Sequence, residues 1–332
     1  MKIPYGESNF KKIILHDFLY IDKTAYIEKL EQQGSFNLLL RPRRFGKSLF
    51  LSSLWYYYDS RFRDEFDAIF GNLYIGKNPT PLKNSYQVLF LDFSGIGTND
   101  AETILKGFNN KVEEGLLRFL ERYNYQADAS RQITRQENPA AKINSFFRVC
   151  KDAKIYLLID EYDNFANAIL GDSLERFKEI VGKGGFVRTF YEVIKTATME
   201  GIVDRLFITG VTSITLDSFT SGFNIVDNIT HHREFNEAIG FTRQETESVM
   251  QPLVDACNLD CRELMSEMSK WYNGYLFSEE SKERIYNSDM VLYFVKNFDM
   301  KTCQYPATNL SRNSLYNQWV RCVPSFAYTG KR

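Results

Sequence analysis

The sequence lacks the long apolar runs and the cysteine pattern that mark membrane proteins and secreted disulfide-rich proteins. No stretch of the 332 residues approaches the roughly 20 consecutive apolar residues that span a bilayer. Residues 1–6 include no apolar core of the kind that a signal peptide needs. The five cysteines are widely spread and odd in number, so we expect reduced thiols rather than a disulfide framework. The sequence therefore predicts a cytoplasmic protein without a membrane partner.

An excess of charge of one sign is also missing. The formal net charge is −1 and the pI is about 6.4, which gives no general support for binding to nucleic acid or to a membrane surface. The neighbouring residues His231 and His232 do not converge on one metal ion from a regular element. Cys257 and Cys261 stand four positions apart, without a second pair at the spacing of a zinc finger. A zinc site is therefore not expected.

The residues that are abundant indicate a large folded core. The composition is 44% hydrophobic and 25% charged, which is typical of globular proteins. Aromatic residues make up 15% of the chain, so its cores should be large and well filled. A chain of this length accommodates one large α/β domain and a smaller one.

The most informative stretch, residues 36–49, has the sequence FNLLLRPRRFGKSL. Its first five residues, Phe36–Leu40, are apolar except at one position, as in a strand that is buried on both faces. A Gly-Lys-Ser triplet follows at 46–48, and the segment Leu49–Tyr58 can continue as a helix. In this order of elements, backbone N–H groups and the helix dipole face a bound anion. The stretch therefore predicts a nucleotide phosphate site.

Two side chains of this loop have expected roles, and one position departs from the usual pattern. Lys47 would reach the β- and γ-phosphates, and the hydroxyl of Ser48 would ligate Mg²⁺. The first glycine of G-x-x-x-x-G-K-[ST] is replaced by Arg41, which is followed by Pro42. Because a residue before proline favours extended backbone, the loop should follow a different path near the β-phosphate. We expect phosphate binding to survive this change, which leaves the rate of hydrolysis open.

A second apolar strand ends in two acids. The run Ile155–Ile159 is followed by Asp160 and Glu161. In phosphate-loop ATPases the first acid of such a pair holds Mg²⁺ through water, and the second positions and deprotonates the attacking water. A strand that ends in solvated acids is common, but together with the Gly-Lys-Ser loop the pair favours a nucleotide site.

Two further apolar runs complete a predicted sheet. Val88–Ser94 carries Asp92 near its carboxyl end, the edge where open α/β sheets place ligand groups, and Arg205–Ser213 has a polar exit. A hydroxyl at such an exit commonly contacts the γ-phosphate or the lytic water. Thr209 is the first candidate for this contact and Ser213 the second, with a capping role as the alternative for each. Strands that alternate with helices predict a parallel, doubly wound sheet.

Helices are predicted between and after these strands. A capping box at Thr242 and Glu245 begins the first of three helices that would form a small lid, and Pro252 should kink or split this helix. Residues 60–86 should form a long surface excursion and residues 124–140 a loop. The predicted helices span residues 25–33 (capped by Asp22 or Thr24), 101–123, 186–199, 263–272 and 288–298, with one more that begins at Ile143.

With these motifs in place, the chain resembles the AAA-ATPase-like family of predicted bacterial ATPases, relatives of the archaeal-type and STAND P-loop ATPases. The resemblance runs from about Tyr5 to Phe298 and is most specific in the RPRRFGKS and IDEYD blocks. In this family an arginine usually occupies the first-glycine position, which accounts for Arg41. The matching blocks are Tyr20–Thr24, Arg41–Leu49, Ile159–Asp163, Phe207–Val211, Ser221–Asn224, Gly240–Thr242 and Trp271–Tyr275.

The resemblance implies a P-loop NTPase fold of the ASCE (AAA-like) type, an α/β fold whose parallel sheet carries helices on both faces. The strand of Thr209 would lie between those of Phe36 and Ile155. The implied division is an ATPase domain at 1–235, a helical lid domain at 236–300 and an irregular tail at 301–332. The expected ligands are ATP and Mg²⁺, since no guanine-recognising N-K-x-D follows at a suitable place.

The resemblance also implies roles for individual residues. Glu161 would be the general base, with Lys47 and Thr209 as the other catalytic residues and Thr209 as the γ-phosphate sensor. Ser48 and Asp160 would hold Mg²⁺, Asp160 through water. The nucleotide would lie against the loop residues Arg41, Pro42, Arg43, Arg44, Phe45, Gly46, Lys47, Ser48 and Leu49.

The loop arginines leave three alternatives open. Arg41, Arg43 and Arg44 would contact phosphate, act across a subunit boundary as arginine fingers, or pair with acids such as Asp160 and Asp163.

Three kinds of function are considered from these patterns. The first is a Mg²⁺-dependent ATPase that couples its nucleotide state to a conformational change, with Arg233 as a further arginine-finger candidate. The second is a STAND-like switch with little turnover, which would bind a protein partner or a second copy of itself in one nucleotide state. A regulatory ATPase that acts with a nuclease or on nucleic acid is a third, which the balanced charge supports weakly. Family members often carry a nuclease-like domain of the PD-(D/E)XK type, but residues 305–332 show no strand with its metal-binding acids. If the gene is complete, nuclease activity is not encoded here, and if it is truncated, the nuclease-like half is missing.

Overall fold

A computed structural model of the chain describes residues 2–213, 223–271 and 274–306. Its strands are β1 (Phe36–Leu40), β2 (Gln87–Asp92), β3 (Ile155–Asp160), β4 (Val203–Gly210) and β5 (Asp227–Asn228). They form one sheet in the order β2-β3-β4-β1-β5, in which every pairing is parallel. The predicted α/β fold with a parallel sheet is thus confirmed. Strand β4, which contains Thr209, lies between β1 and β3 as the resemblance implied.

Helices connect the strands and follow them. They are α1 (Phe10–Leu15), α2 (Ala25–Gln33), α3 (Lys47–Tyr58), α4 (Phe66–Phe70), α5 (Tyr74–Lys77), α6 (Ala101–Arg122), α7 (Ala127–Thr134), α8 (Pro139–Val149), α9 (Asn164–Asp172), α10 (Leu174–Val181), α11 (Phe186–Met199), α12 (Arg243–Cys257), α13 (Cys261–Trp271) and α14 (Ser288–Asn297). Short 3₁₀ helices span Ser60–Glu65, Ile229–His231 and Arg233–Phe235. Within the described residues, no helix is long and apolar enough to cross a membrane.

Hydrophobic clusters cover both faces of the sheet. Successive side chains of a strand point to opposite sides, so each strand contributes to both clusters. In β3, Ile155, Leu157 and Ile159 join one hydrophobic cluster, whereas Tyr156 and Leu158 join another. Helices α6 to α11 cover the first face and α1 to α5 the second. All six residues of β3 are buried, so the strand that should carry the acids is fixed at the centre of the domain.

A third hydrophobic cluster belongs to the helical subdomain, by which we mean α12, α13 and α14 with their connections. Its members include Met250, Met268 and Phe294, and Ile3 and Leu19 from the start of the chain pack against it. Short antiparallel bridges join residues 241 and 286, and 275 and 285, so that residues 275–286 form a hairpin. The three predicted lid helices therefore exist and share a core. The division of the chain at residue 235 remains a prediction, and residues 307–332 of the predicted tail lie outside the described residues.

The capping box that begins α12 is confirmed. The Thr242 hydroxyl accepts a hydrogen bond from the Glu245 backbone N–H (3.2 Å), and the Glu245 carboxylate accepts one from the Thr242 N–H (2.7 Å). Helix α12 nevertheless continues through Pro252, so proline does not split it, and the alternative of a kink remains a prediction. Pro252 and Ser248, whose carbonyl loses its helical partner, are both exposed, and water can replace the missing bond.

Two segments expected to be irregular contain helices. Residues 60–86 form a 3₁₀ helix and the short helices α4 and α5, which bury Phe66, Phe70 and Ile75. Residues 124–140 include α7, which buries Ala129 and Ile133. These helices have four to eight residues, too few for a 3.6-residue hydrophobic period to show in the sequence. The last residue of the helix predicted at 263–272 lies outside the described residues.

The cysteine prediction requires a correction. Cys257 and Cys303 form a disulfide across 46 positions of sequence, with their Cα atoms 5.7 Å apart. Cys150 and Cys261 are free thiols, as expected, and Cys322 lies outside the described residues. The pairing depends on α12 and the segment after α14 meeting in space, which the spacing of cysteines along the chain does not reveal.

Candidate functional site

The loop between β1 and α3, residues 41–46, lies at the carboxyl edge of the sheet next to the end of β4. The Arg41 backbone N–H donates to the Gly210 carbonyl at 3.2 Å, which places the two strand ends side by side. Two loop residues have left-handed backbone, Gly46 at φ 99° and Arg44 at φ 66°. Glycine adopts this region freely, whereas a residue with a Cβ pays roughly 1–2 kcal/mol. The loop therefore has a specific conformation that other contacts must hold.

Lys47 is buried at the first position of α3 and faces acids. Its side chain is 6% exposed, and its ammonium donates to the Pro42 carbonyl at 3.1 Å. Burial lowers the pKa of Lys47, while the negative charges of Asp160, Asp163 and Glu161 raise it again. Nearby carboxylates offset part of the charge of this buried ammonium, so it attracts a further anion only weakly by itself. Other groups of the loop must therefore contribute to an anion site.

Asp160, the last residue of β3, meets the loop. It is 4% exposed, and burial raises the pKa of its carboxyl to about 6. A hydrogen bond from the Ser48 hydroxyl and the charge of Lys47 act in the opposite direction, whereas Asp92 and Glu161 raise the pKa further. The predicted acid and the two predicted residues at the start of α3 therefore lie close enough to influence one another electrostatically, although they stand more than 100 positions apart in sequence.

This carboxyl predicts a pH-dependent stability. A group whose pKa is raised from 3.8 to about 6 on folding holds its proton more tightly in the folded protein than in the unfolded chain. Its contribution to the free energy of unfolding is therefore complete below about pH 4 and is lost as the pH rises through about 6. Asparagine stays neutral at every pH. The free energy of unfolding of Asp160→Asn should therefore be up to about 3 kcal/mol larger than that of the wild type at neutral pH and equal to it near pH 4.

Chemical denaturation across this pH range, without nucleotide or Mg²⁺, measures the effect. Asp64→Asn provides the matched control, because Asp64 lies on the exposed surface. The control should follow the wild type at every pH. An Asp160→Asn variant no more stable than the wild type at neutral pH would contradict the raised pKa of Asp160.

Glu161 follows Asp160 in a left-handed turn. Its φ is 49°, an unusual value for a residue with a long side chain, and such strain concentrates at functional sites. The turn is held by the Tyr162 N–H, which donates to the Thr209 carbonyl (3.2 Å), and by the Asn164 N–H, which donates to the Glu161 carbonyl (3.1 Å). The turn directs the chain away from β3 immediately after the acid pair.

Asp163 is a site residue whose role the sequence did not reveal. Its carboxylate is fully buried and accepts hydrogen bonds from the backbone N–H groups of Val211 (3.1 Å) and Thr212 (2.7 Å). It therefore ties the exit of β3 to the exit of β4. Asp163 belongs to the IDEYD block of the sequence, but its hydrogen-bond partners become visible only where the ends of β3 and β4 lie side by side.

The close approach of Asp163 leaves no room at Gly210. A Cβ there would lie 2.4 Å from the Asp163 carboxylate and 2.5 Å from the Tyr162 ring. Gly210→Ala should therefore destabilise the fold by about 3 kcal/mol, because both neighbours are themselves buried. Gly201→Ala is the control: its Cβ has open space, and only its φ of 75° opposes the change, at about 1 kcal/mol. Equal losses in thermal denaturation of the two variants would contradict the packing described for Asp163.

Thr209, the expected sensor, is engaged within the sheet. Its hydroxyl is fully buried and donates to the Leu39 carbonyl of β1 at 2.8 Å. Contact with a phosphate would require this bond to break. Ser213, the second candidate, is the last described residue before the gap at 214–222.

The structure corrects the expectations for Arg41. Its guanidinium is 1% exposed and lies 4.0 Å from the centre of the Phe277 ring. It donates to the backbone carbonyls of Leu40 (2.8 Å), Thr230 (3.0 Å) and Phe235 (2.6 Å) rather than to a carboxylate. Burial lowers its pKa to about 9, so it stays charged at neutral pH. Arg41 is a scaffold residue that joins the loop to the hairpin, and the predicted acid pairing is wrong for it.

The other arginines lie at the surface. Arg43 donates to the Asn164 side chain at 3.2 Å, and Arg44 pairs with Asp289 at 3.5 Å. Arg44 therefore pairs with an acid, as one alternative had it, although with Asp289 instead of Asp160 or Asp163, whereas Arg43 contacts an amide. Arg233 is exposed at the start of a 3₁₀ helix.

An apolar cleft opens beside the loop. The space in and in front of this cleft that protein atoms leave empty is about 520 Å³, part of which is open solvent. Gly46 forms part of its wall. Three parts of the chain contribute to it: the N-terminal segment, the loop with α3, and the start of the helical subdomain. The lining residues are Pro4, Leu19, Tyr20, Ile21, Lys23, Phe45, Gly46, Leu49, Phe50, Ala238, Ile239, Gly240, Phe241, Ser288 and Leu292.

An ion pair joins two walls of the cleft. The Lys23 ammonium lies 2.6 Å and 2.7 Å from the two carboxylate oxygens of Glu245, which also caps α12. Sequence reasoning missed this contact, which links positions 222 residues apart.

The residues at the carboxyl edge fit a hard cation that is carried by a ligand. Among the described residues, no group of three His, Cys, Asp or Glu side chains is arranged to hold a metal ion alone. The Ser48 hydroxyl and the Asp160 carboxylate, which lie near each other here, are the oxygen donors that Mg²⁺ prefers, and burial, which raises the pKa of Asp160, leaves its carboxylate with little solvent to balance the charge. These two residues would therefore supply part of a coordination shell.

Comparisons with known proteins agree with this geometry. Residues 4–220 match the model of a family described as predicted AAA-ATPase. The chain is also 30% identical over 300 residues to an uncharacterized protein from the vnfD 5′ region of Azotobacter chroococcum mcd 1. That match covers 89% of this chain and 52% of the relative, so the chain spans about half of the relative's length. The chain belongs to the predicted AAA-ATPase family.

Proposed function

We propose that the chain binds ATP with Mg²⁺ at the carboxyl edge of the sheet and hydrolyses it. One observation carries the proposal: Lys47 and Ser48, at the start of α3, lie close enough to Asp160 at the end of β3 to act on its charge. An ammonium, a hydroxyl and a carboxylate from two distant strand ends are the three groups that a phosphate-loop ATPase needs at its γ-phosphate. Membership in the family supports the same activity.

Each group has one proposed task. Lys47 would leave the Pro42 carbonyl and donate to the β- and γ-phosphate oxygens, which adds positive charge where negative charge develops. Ser48 and Asp160 would hold Mg²⁺, Asp160 through water. When bound, Mg²⁺ would neutralise charge on the β- and γ-phosphates. The backbone N–H groups of the loop and of the first turn of α3 would contact the remaining oxygens.

Glu161 is the proposed general base. Its position after Asp160 lets its carboxylate orient a water molecule and accept a proton from it. The left-handed turn fixes the direction in which the side chain leaves the strand. Thr209 remains a proposed sensor only if its hydroxyl turns away from Leu39.

The apolar cleft is the proposed site of the adenine base. It adjoins Gly46, and it is lined mainly by apolar side chains, which suit the faces of a planar ring system. Aliphatic and aromatic side chains from the N-terminal segment and from residues 238–241 would enclose the two faces of the ring.

Equilibrium titration of the full chain with a fluorescent ATP analogue tests the proposal. We expect saturable binding that is tighter with Mg²⁺ than with a chelator present. Absence of binding both with Mg²⁺ and with the chelator would overturn the assignment of an ATP site. The same titration with a GTP analogue distinguishes adenine recognition from binding of phosphate alone.

The docking of the helical subdomain on the loop favours a second candidate, a nucleotide-gated switch with little turnover. In that case ATP would change the position of the helical subdomain and so expose a surface for a protein partner or a second copy of the chain. Steady-state phosphate release separates the two candidates, because a switch binds nucleotide tightly yet releases little phosphate. A nucleic-acid partner has only the weak support of the local basic residues.

A further inference from the structure

The loop is held from outside by the first turn of α14. Three consecutive carbonyl oxygens, those of residues 43–45, accept hydrogen bonds from this turn. The donors are the Asn287 side-chain amide to Arg43 (3.3 Å), the Asp289 backbone N–H to Arg44 (3.3 Å) and the Ser288 hydroxyl to Phe45 (2.9 Å).

These bonds decide which way the peptide units of the loop face. In a planar trans peptide, the C=O of one residue and the N–H of the next point in opposite directions. Because the carbonyls of residues 43–45 face α14, the N–H groups of residues 44–46 face the other side of the loop. Successive N–H groups on one side of a loop form a concave anion site. The α14 contacts therefore hold the loop with its donors turned toward a phosphate.

The same turn stabilises the left-handed backbone at Arg44. This conformation is disfavoured for a residue with a Cβ, yet the Arg44 carbonyl and guanidinium both bind Asp289. Ser288 also lies 3.6 Å from the position that a Cβ on Gly46 would occupy, and it lines the apolar cleft. The first turn of α14 thus contacts both the loop backbone and the proposed base site.

A second anchor joins the loop to the hairpin. The Phe45 ring packs edge-on against Tyr275 and Phe277, with ring centres 4.9 Å and 5.4 Å apart. Gly240 makes room for it, since a Cβ there would lie 2.9 Å from Phe45. The loop and the helical subdomain are therefore packed as one unit, and a change in one must alter the other.

We propose that Asn287 and Ser288 are positioning residues that hold the nucleotide loop in its anion-binding conformation, so that nucleotide binding and docking of the helical subdomain are linked. This inference rests on the proposed ATP site and adds its regulation. Linkage is reciprocal: if docking strengthens nucleotide binding, nucleotide strengthens docking by the same factor.

Neutral substitutions isolate the contacts. Asn287→Ser keeps an N-cap side chain for α14 but removes the amide that reaches Arg43. Ser288→Ala removes the donor to Phe45, and Ser288→Thr restores a hydroxyl. Asn138→Ser is the matched control, because Asn138 caps α8 in the same way, far from the loop in sequence.

Binding of a fluorescent ATP analogue with Mg²⁺ and hydrogen exchange of the full-length variants provide the test. Each of Asn287→Ser and Ser288→Ala should weaken binding about fivefold and the double variant about 20-fold. Ser288→Thr should bind within about twofold of the wild type, as should Asn138→Ser. Nucleotide should slow hydrogen exchange in residues 288–297 of the wild type, and this slowing should shrink in the double variant.

Two outcomes are distinguishable. If the wild type binds nucleotide and the double variant binds equally well with undiminished slowing in α14, the positioning role is overturned while the ATP site stands. If the wild type does not bind, the ATP site is overturned. Exchange of the loop amides without nucleotide then decides the positioning role alone, since the double variant should exchange them faster than Asn138→Ser.

Discussion

Lys47→Ala should weaken ATP binding about 10³-fold, the largest expected loss of affinity for a single change in this chain. The ammonium is buried beside Asp160, Asp163 and Glu161, so its removal leaves carboxylates facing the phosphate without a compensating positive charge. Lys47→Arg should not restore binding, because a rigid planar guanidinium does not reproduce the compact ammonium of a buried lysine. Equilibrium titration with a fluorescent ATP analogue measures both variants.

The control for this change is Lys106→Ala, which removes an exposed lysine from α6. It should bind ATP as the wild type does. Affinity that is unchanged in Lys47→Ala would exclude the loop as the phosphate site. Circular dichroism should show that both variants keep their helices, so that a loss of binding is not a loss of fold.

Glu161→Gln should lower steady-state phosphate release about 10²- to 10⁴-fold while leaving nucleotide affinity within a few-fold of the wild type. The amide keeps the size of the side chain and the same left-handed backbone, but it cannot accept a proton from water. The expected variant is therefore one that holds ATP without consuming it. Phosphate release under saturating ATP, together with the binding titration, separates these two quantities.

Glu200→Gln, at the exposed end of α11, is the matched control and should release phosphate at the wild-type rate. Equal turnover in Glu161→Gln and wild type would assign the base elsewhere. If the wild type itself binds ATP tightly and releases almost no phosphate, the switch is favoured over the ATPase.

The sequence predicted the parts of the fold that depend on local patterns. Strand β1 was expected at Phe36–Leu40 and lies there, and α11 was expected at Phe186–Met199 and spans those residues. Strand β1 is a short run that is apolar except at Asn37, and α11 is long enough, at 14 residues, for its buried side chains to recur at helical spacing. The short helices between residues 60 and 77 escaped prediction because helices of four to six residues show no period, and they form where the rest of the core packs against them.

The candidate site was predictable as residue types but not as contacts. Lys47, Ser48 and Asp160 were identified because a strand, a loop and an acid pair have meaning in sequence order. The buried role of Arg41 and the contacts of Asn287 with the loop were not, since they join positions separated by about 190 to 244 residues. The Cys257–Cys303 disulfide escaped prediction for the same reason, because it joins positions that are distant in sequence. No local pattern encodes a contact that depends on where two finished elements meet.

The distance in sequence between the loop and α14 has a consequence for synthesis. Residues 287 and 288 are made 244 and 243 positions after their loop partners. At about 5–20 residues per second, the loop waits roughly 12–50 s on the ribosome before the residues that hold it are made. During that interval Phe45 and Arg41 have no hairpin to pack against. The emerging chain therefore completes the contacts that hold this loop only after α14 has been made.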